Sequence, residues 1–234
     1  MFVLAAPPPA PLPPPAPAIV GRSVQGRPIA VRRIGDPSAP RRALVVGAVH
    51  GDEGAGRAIV RALIGAGTAP AGAEVWLVST VNPDGAARRT RTNARGVDLN
   101  RNFPRGWRAS LRGGGDHGGP RPLSEPETRT VRRLILRIRP RVTIWFHQPW
   151  GQVLAPCRGA APLQRRYAAV AGLELKRCRG SDLPGTATRW QMHALPRSTA
   201  FVVELRAGRL AAPAVARHVR AVRAVIADAG ALIL

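Results

Sequence analysis

A histidine and a glutamate three residues apart, His50 and Glu53, directly follow the apolar run 43–49. The run is typical of a buried strand and the residues after it of the start of a helix, so both side chains can face one point. Imidazole nitrogens and carboxylate oxygens bind zinc, and a catalytic zinc takes three protein ligands and keeps one position open. A His-x-x-Glu pair is a weak signal alone, but downstream segments agree with it.

Three later segments carry further candidate residues. The turn sequence Asn82-Pro83-Asp84-Gly85 ends a second apolar run. The segment 90–103 is rich in arginine and asparagine and contains Asp98. In the apolar segment 201–205, Glu204 is costly to bury unless it is functional or paired with an arginine such as Arg206.

In this order, the motifs resemble those of zinc metallocarboxypeptidases of the carboxypeptidase A and B type. The resemblance covers residues 21–208 and is strongest to small bacterial members, which include murein peptide amidases. It implies one zinc ion (Zn2+) per chain, bound by His50, Glu53 and a third ligand.

The resemblance implies a histidine as third ligand, and four further histidines are available: His117, His147, His193 and His218. His147 ends the apolar run 142–146, where open α/β sheets place their sites, and it matches the family's third ligand. We expect His117, in a glycine-rich loop, and His218, on the last helix, to be solvated. His193 is expected near the substrate pocket, as a supporting residue of the site.

The resemblance also implies the catalytic roles. Glu204 matches the general base that takes a proton from water and returns it to the leaving amine. Arg91 matches the group that stabilises the developing oxyanion, although Arg88, Arg89 and Arg95 are close in sequence.

The remaining site residues are expected around the substrate. Asn100 and Arg101 match the pair that binds its free carboxylate, for which a guanidinium is well shaped. Asp98 matches the partner that orients His50. Thr188 and Arg189 are expected to line the side-chain pocket, where Arg189 would favour an acidic group; Arg189 pointing to solvent is the alternative.

One feature departs from the family. Its digestive members close a tyrosine over the substrate, whereas the only tyrosine here, Tyr167, lies in a predicted helix well before Glu204. His193 or Trp190 could take that role, or it is vacant.

The sequence therefore predicts a zinc metallocarboxypeptidase, a hydrolase that cuts an amide bond next to a residue with a free carboxylate. An ordinary peptide C-terminus and the γ-D-glutamyl–diaminopimelate bond of cell-wall (murein) peptides remain open as substrates. An N-acyl amino acid deacylase would use the same ligands. A non-enzymatic module that binds anionic cell wall is disfavoured because the ligands and the base are all present.

The net charge of +23 suggests a nucleic-acid protein only at first sight. All but one of the 36 basic residues are arginines spread along the chain, and aromatics make up only 4%. We therefore expect no specific nucleic-acid partner.

The two cysteines, Cys157 and Cys178, would form a disulfide in a secreted protein and stay reduced in the cytosol. We expect the disulfide, which favours a location in the cell envelope or outside the cell.

The pattern of elements predicts a single α/β domain, with a mostly parallel mixed sheet covered by helices on both faces. Residues 1–18 are proline-rich and are predicted to be an extended segment or the remnant of a signal peptide; the catalytic domain is predicted over 19–234. Helices are predicted over 53–64 and from a Ser124 N-cap to 138. No apolar stretch is long enough for a transmembrane helix, and we expect a monomer.

Overall fold

An eight-stranded mixed β-sheet forms the centre of the protein in a computed structural model that describes residues 16–109, 115–157, 159–178 and 183–230. The strands are β1 Ala18–Arg22, β2 Pro28–Gly35, β3 Arg41–Val46, β4 Ala73–Val78, β5 Val142–His147, β6 Trp150–Leu154, β7 Glu174–Lys176 and β8 Thr199–Arg206. The α-helices are α1 Gly56–Ala66, α2 Pro83–Arg88, α3 Pro126–Ile138, α4 Pro162–Ala171, α5 Ala187–Ala194 and α6 Ala212–Asp228.

The strand order is β1-β2-β4-β3-β5-β8-β6-β7. The four central strands β4, β3, β5 and β8 are parallel, whereas β1, β2 and β6 join by antiparallel pairing. All six residues of β5 are buried, as expected for a parallel strand covered on both faces. The predicted fold class is confirmed.

Two apolar layers enclose the sheet. Helices α1, α4 and α6 pack on one face with Ile59, Tyr167 and Val222 in their core. Helices α3 and α5 pack on the other face, where Ile135 and Trp190 lie against Leu44 and Trp145. The carboxyl ends of β3, β5 and β8 therefore meet at one edge, between the two helical layers.

Two predicted helix starts are wrong. Helix α1 begins at Gly56 rather than Glu53. The preceding turn packs very closely against α2. A Cβ added to Gly51 would lie only 1.9 Å from the backbone carbon of Gly85. Helix α3 is preceded by Glu125 and not capped by Ser124, whose hydroxyl donates instead to the Glu125 carboxylate over 2.7 Å.

Strands β6 and β7 and helix α5 were not predicted. All three are short, and β6 and β7, the last two strands on one side of the sheet, contain partly polar residues that weaken the alternation expected of a strand. The expected pairing of Cys157 with Cys178 is confirmed as a disulfide, which links the ends of these two strands.

At the amino end, β1 begins at Ala18. The predicted proline-rich segment lies outside the described residues up to residue 15. None of the helices in the described part of the chain has the length and apolar character needed to cross a bilayer.

His218 is buried, not solvated as predicted. Its Nδ1 lies 2.8 Å from the Tyr167 hydroxyl, and the two rings stack beneath Phe146. Burial, with a smaller contribution from the charge of Arg217, lowers the pKa of His218 to about 4. Tyr167 itself is fully buried in this cluster, so it is not the missing substrate-covering tyrosine.

This histidine makes stability pH-dependent. In the unfolded chain the His218 imidazole takes up a proton near pH 6.5, whereas in the folded chain it does so only near pH 4. The contribution of His218 to stability is therefore complete above pH 6.5 and declines as the pH falls toward 4. At about 1.4 kcal/mol per pH unit, the loss at pH 5 relative to pH 7 is about 2 kcal/mol.

Urea unfolding of zinc-loaded wild type and His218→Gln at pH 7 and pH 5 measures this effect. The variant keeps an acceptor group but does not titrate, so its loss of unfolding free energy should be smaller by about that amount. Equal pH dependence in the two proteins would contradict the assignment.

Candidate metal centre and active-site cavity

Three buried side chains converge at the carboxyl edge of the sheet. His50 and Glu53 lie in the turn between β3 and α1, and His147 is the last residue of β5. One ligand atom from each lies within 4.8 Å of the other two. The structure thus brings together the three residues predicted to bind metal.

The Glu53 carboxylate lies between the two imidazoles. Its Oε1 is 2.8 Å from Nδ1 of His50, and its Oε2 is 2.8 Å from Nδ1 of His147. Burial opposes ionisation, but the hydrogen bonds and charges of His147 and His50 outweigh it and hold the pKa of Glu53 below its usual range. The carboxylate is thereby ready to bind a cation.

Asp98 lies behind His50, as predicted. Its Oδ1 is 3.0 Å from Nε2 of His50, which leaves Nδ1 as the nitrogen that faces Glu53. Burial works against the charge, but His50, Arg91 and Arg101 together lower the pKa of Asp98 to about 2. A buried carboxylate that fixes the tautomer of a ligand histidine is common in zinc sites.

Among the candidate arginines, Arg91 reaches the centre. Its Nη1 lies 3.1 Å from Glu53 Oε1 and 3.2 Å from His50 Nδ1, and its Nη2 lies 2.9 Å from Asp98 Oδ2. Arg88 and Arg89 are exposed, and Arg95 pairs with Glu125 over 3.6 Å.

Glu204 stands beside His147, because the two residues are register partners in β8 and β5. It is 6% exposed, and its Oε2 has no hydrogen-bond partner within the described chain. Burial and the neighbouring Glu53 charge raise the pKa of Glu204 to about 7. No arginine neutralises it by a direct contact in the described residues, which argues against the salt-bridge alternative.

Asn100 and Arg101 line a cavity of about 760 Å3 next to the three ligands. The Asn100 Oδ1 accepts from the backbone N–H of Ala187 at the start of α5, over 3.0 Å. This bond turns the donor NH2 of the carboxamide away from α5. Arg101 is mostly buried and bonds to Asp116 over 3.2 Å.

Thr188 and Arg189 both lie in the cavity wall, half-buried. The Arg189 guanidinium lies over Gly106, where an added Cβ would be 2.6 Å from Nη1. This placement favours a role in the pocket over the solvent alternative.

Three other expectations are wrong. His193 is exposed at the end of α5 and is not among the residues that line the cavity, because the helix turns its Trp190 and Gln191 face inward. Trp190 is buried against Phe103, with ring centroids 5.5 Å apart, and cannot cover a substrate. His117, expected to be solvated, is also buried; its carbonyl accepts from the backbone of Asp98.

Sequence reasoning missed two residues at the rim. Gln148 accepts from the backbone of Ala55 and donates to the carbonyls of Arg206 and Gly208, so it fixes the loop after β8. Trp150 is 67% exposed at the mouth of the cavity. Their positions next to His147 were the only available signal.

Comparison with known proteins agrees with this geometry. Residues 17–161, more than half of the chain, match the model of the zinc carboxypeptidase family. The chain belongs to this family. It is also 33% identical over 190 residues to murein peptide amidase A of Escherichia coli (strain K12), an alignment that covers 76% of each protein.

Solved structures of other zinc carboxypeptidases and their relatives share the fold. The murein-tripeptide amidase of Escherichia coli O157 superposes with a TM-score of 0.70 and 28% identity, covering 92% of both chains. Carboxypeptidase A of Helicoverpa armigera gives a TM-score of 0.79 at 19% identity, covering 94% of this chain and 70% of that one.

The family is that of zinc hydrolases, and the donor set fits zinc. Two imidazole nitrogens and a carboxylate from one compact group match the ligands that a catalytic zinc ion prefers. The buried Asp98 behind His50 adds the oriented hydrogen bond that such a ligand needs.

Asp98→Asn should weaken zinc binding 10- to 100-fold, because the amide orients and polarises His50 less well than the carboxylate. Zinc transfer to a fluorescent chelator of known affinity measures the effect. Asp36→Asn, an exposed position in the β2–β3 connection, is the matched control. Unchanged affinity in a folded Asp98→Asn protein, judged by thermal unfolding, would rule out this role.

Proposed function

We propose that this zinc hydrolase removes a C-terminal residue from short peptides that carry several carboxylates, of the murein-tripeptide kind. The bond cut is the γ-D-glutamyl–diaminopimelate amide. The observation that carries the proposal is the basic wall of the cavity beside the metal centre, where Arg101, Arg189, Lys176 and Arg177 all lie.

Diaminopimelate fits such a wall because its side chain ends in a second carboxylate. In the proposal, Arg101 and the Asn100 amide hold the carboxylate next to the cleaved bond. Arg189 then lies further along the cavity wall for the distal carboxylate, since a guanidinium binds a carboxylate through two parallel hydrogen bonds. The similarity to murein peptide amidase A supports this choice.

His50, Glu53 and His147 would hold the zinc ion, whose chemistry is Lewis-acid polarisation of the amide carbonyl and of the attacking water. Glu204 is the proposed general base. Its carboxylate is unpaired at Oε2 beside His147, and a pKa near the working pH suits both uptake of the proton and its delivery to the leaving amine.

Arg91 is proposed to stabilise the charge that develops on the carbonyl oxygen. Its guanidinium already lies at the centre, held by Asp98 at one nitrogen. A fixed donor in a partly buried site stabilises such charge strongly. The Asp98 carboxylate thus serves both sides, orienting His50 and Arg91 together.

An ordinary peptide C-terminus is the second candidate. Apolar residues share the cavity with the arginines, among them Leu154, Met192 and Phe201, and would suit an apolar terminal side chain. An N-acyl amino acid would present the same carboxylate to Arg101, so only an activity assay distinguishes this substrate class from peptides.

The substrate is tested by offering zinc-loaded protein the tripeptide L-Ala-γ-D-Glu-diaminopimelate together with peptides ending in Phe, Leu, Lys or Glu and with N-acetyl amino acids. We expect release of diaminopimelate to dominate, as followed by mass spectrometry. Glu204→Gln should keep its zinc and lose at least about 100-fold in kcat. Trimming of the ordinary peptides alone would replace the proposed substrate.

Arg189→Gln should raise KM for the diaminopimelate tripeptide about tenfold and leave kcat nearly unchanged, because it removes a binding contact distant from the reacting atoms. Arg105→Gln, an exposed arginine that does not line the cavity, is the matched control. Equal KM values for wild type and Arg189→Gln would place the distal carboxylate elsewhere.

A further inference from the structure

A second groove, of about 1140 Å3, lies between α1 and α6. Its lining includes glycine and alanine residues of the two helices and the adjacent turns, together with Leu210, Val215 and Val219. Five arginines surround it: Arg57, Arg61, Arg89, Arg209 and Arg220. We call this feature the arginine groove.

Positive charge is in excess among the described residues that line the arginine groove. None of its five arginines forms a salt bridge with any described residue, and Asp52 is the only acidic residue in its wall. The Nε of Arg57 is buried and has no hydrogen-bond partner in the described chain. Such a concentration of positive charge in a concave surface attracts anions.

The first turn of α6 adds to this potential. The helix is 17 residues long, its first turn contains no acidic residue, and no side chain caps it. Ala212, the first residue of α6, lines the groove, so the positive end of the helix dipole lies at the groove and no acidic residue of that turn neutralises it.

The arginine groove adjoins the active-site cavity. Asp52, Gln148 and Gly208 line both spaces, and Gln148 follows the proposed ligand His147 directly. Asn100, Arg101 and Arg189 lie on the α5 side of the sheet, whereas α1 and α6 cover the opposite face. A substrate whose carboxylate lies against Arg101 would therefore point its acyl side toward the arginine groove.

We infer that the arginine groove binds anionic groups on the acyl side of the scissile bond, so the enzyme favours substrates that extend beyond the tripeptide with further negative charge. This inference rests on the proposed function, which sets the direction of the substrate across the site. It assigns a ligand class, carboxylate-bearing acyl extensions, to a surface outside the catalytic residues.

The test compares two extended substrates in low salt. One is L-Ala-γ-D-Glu-diaminopimelate lengthened at its amino end by Asp-Asp-Gly, and the other carries Asn-Asn-Gly. We expect about fivefold lower KM for the Asp-Asp-Gly substrate with similar kcat, since each partly exposed ion pair contributes only modestly. The preference should decline at high salt because exposed charges are screened.

The matched variants separate the groove from general surface charge. Arg61→Gln/Arg209→Gln/Arg220→Gln changes three exposed groove residues and should abolish the preference while leaving cleavage of the unextended tripeptide unchanged. Arg132→Gln/Arg133→Gln/Arg137→Gln, on α3 across the sheet, loses the same charge and should keep it. Equal KM values in wild type, or loss of the preference in both variants, would overturn the inference.

Fluorescence anisotropy of both labelled extended peptides with zinc-loaded Glu204→Gln keeps the two proposals distinguishable. If no murein peptide is cleaved but the Asp-Asp-Gly peptide binds more tightly in a groove-dependent way, the substrate is wrong and the groove assignment stands. If the tripeptide is cleaved and both extended peptides bind alike, the groove assignment fails alone.

Discussion

Three buried carboxylates at one edge of the sheet are the constraint on which the site depends. Glu53, Asp98 and Glu204 are each less than a tenth exposed and lie around the same two imidazoles. Desolvation penalises every one of these charges, and only close partners can offset it. Arg91 and the two histidines offset the desolvation of Glu53 and Asp98. The desolvation of Glu204 is not offset in this way, and its pKa is raised to about 7.

The sheet distributes these charges by its topology. Parallel strands β5 and β8 end at the same edge, and their register places His147 directly beside Glu204. The turn after β3 brings His50 and Glu53 to the same edge, and at Gly51 it passes very close to the backbone of Gly85 in α2. That approach ties the metal-binding turn to the segment that leads to Arg91, through the bond from Gly51 N–H to the Thr90 carbonyl.

The sequence predicted the site better than it predicted local boundaries. His50, Glu53, His147, Asp98, Arg91 and Glu204 were found because residue types and order carried a family pattern, and the structure brings them together. The start of α1, the role of Ser124 and the burial of His117 and His218 depend on contacts made across the fold. Local propensity does not contain those contacts, so each of these predictions failed where tertiary packing decided.

Two acidic residues of the motif segments, Asp84 and Asp98, have different roles in the structure. Asp84 stands in a motif segment as Asp98 does, yet it accepts from Ser23, the Gln25 backbone and Arg27 and only anchors the β1–β2 hairpin. Both carboxylates are buried and paired with an arginine, so burial and pairing alone do not distinguish them, and it was the family resemblance that singled out Asp98.

The positive charge of the protein is concentrated at particular places near the site. A net charge of +23 spread evenly over the surface would attract anions without specificity. The arginines near the site instead line the active-site cavity and the arginine groove, which share lining residues. Arg101 and Arg189 in the active-site cavity lie on the α5 side, and the arginine groove lies between α1 and α6. The scissile bond would lie between them, beside the buried carboxylates. An anionic substrate that binds both sides would thus be drawn across the general base, and its own negative charges would meet arginines rather than Glu204.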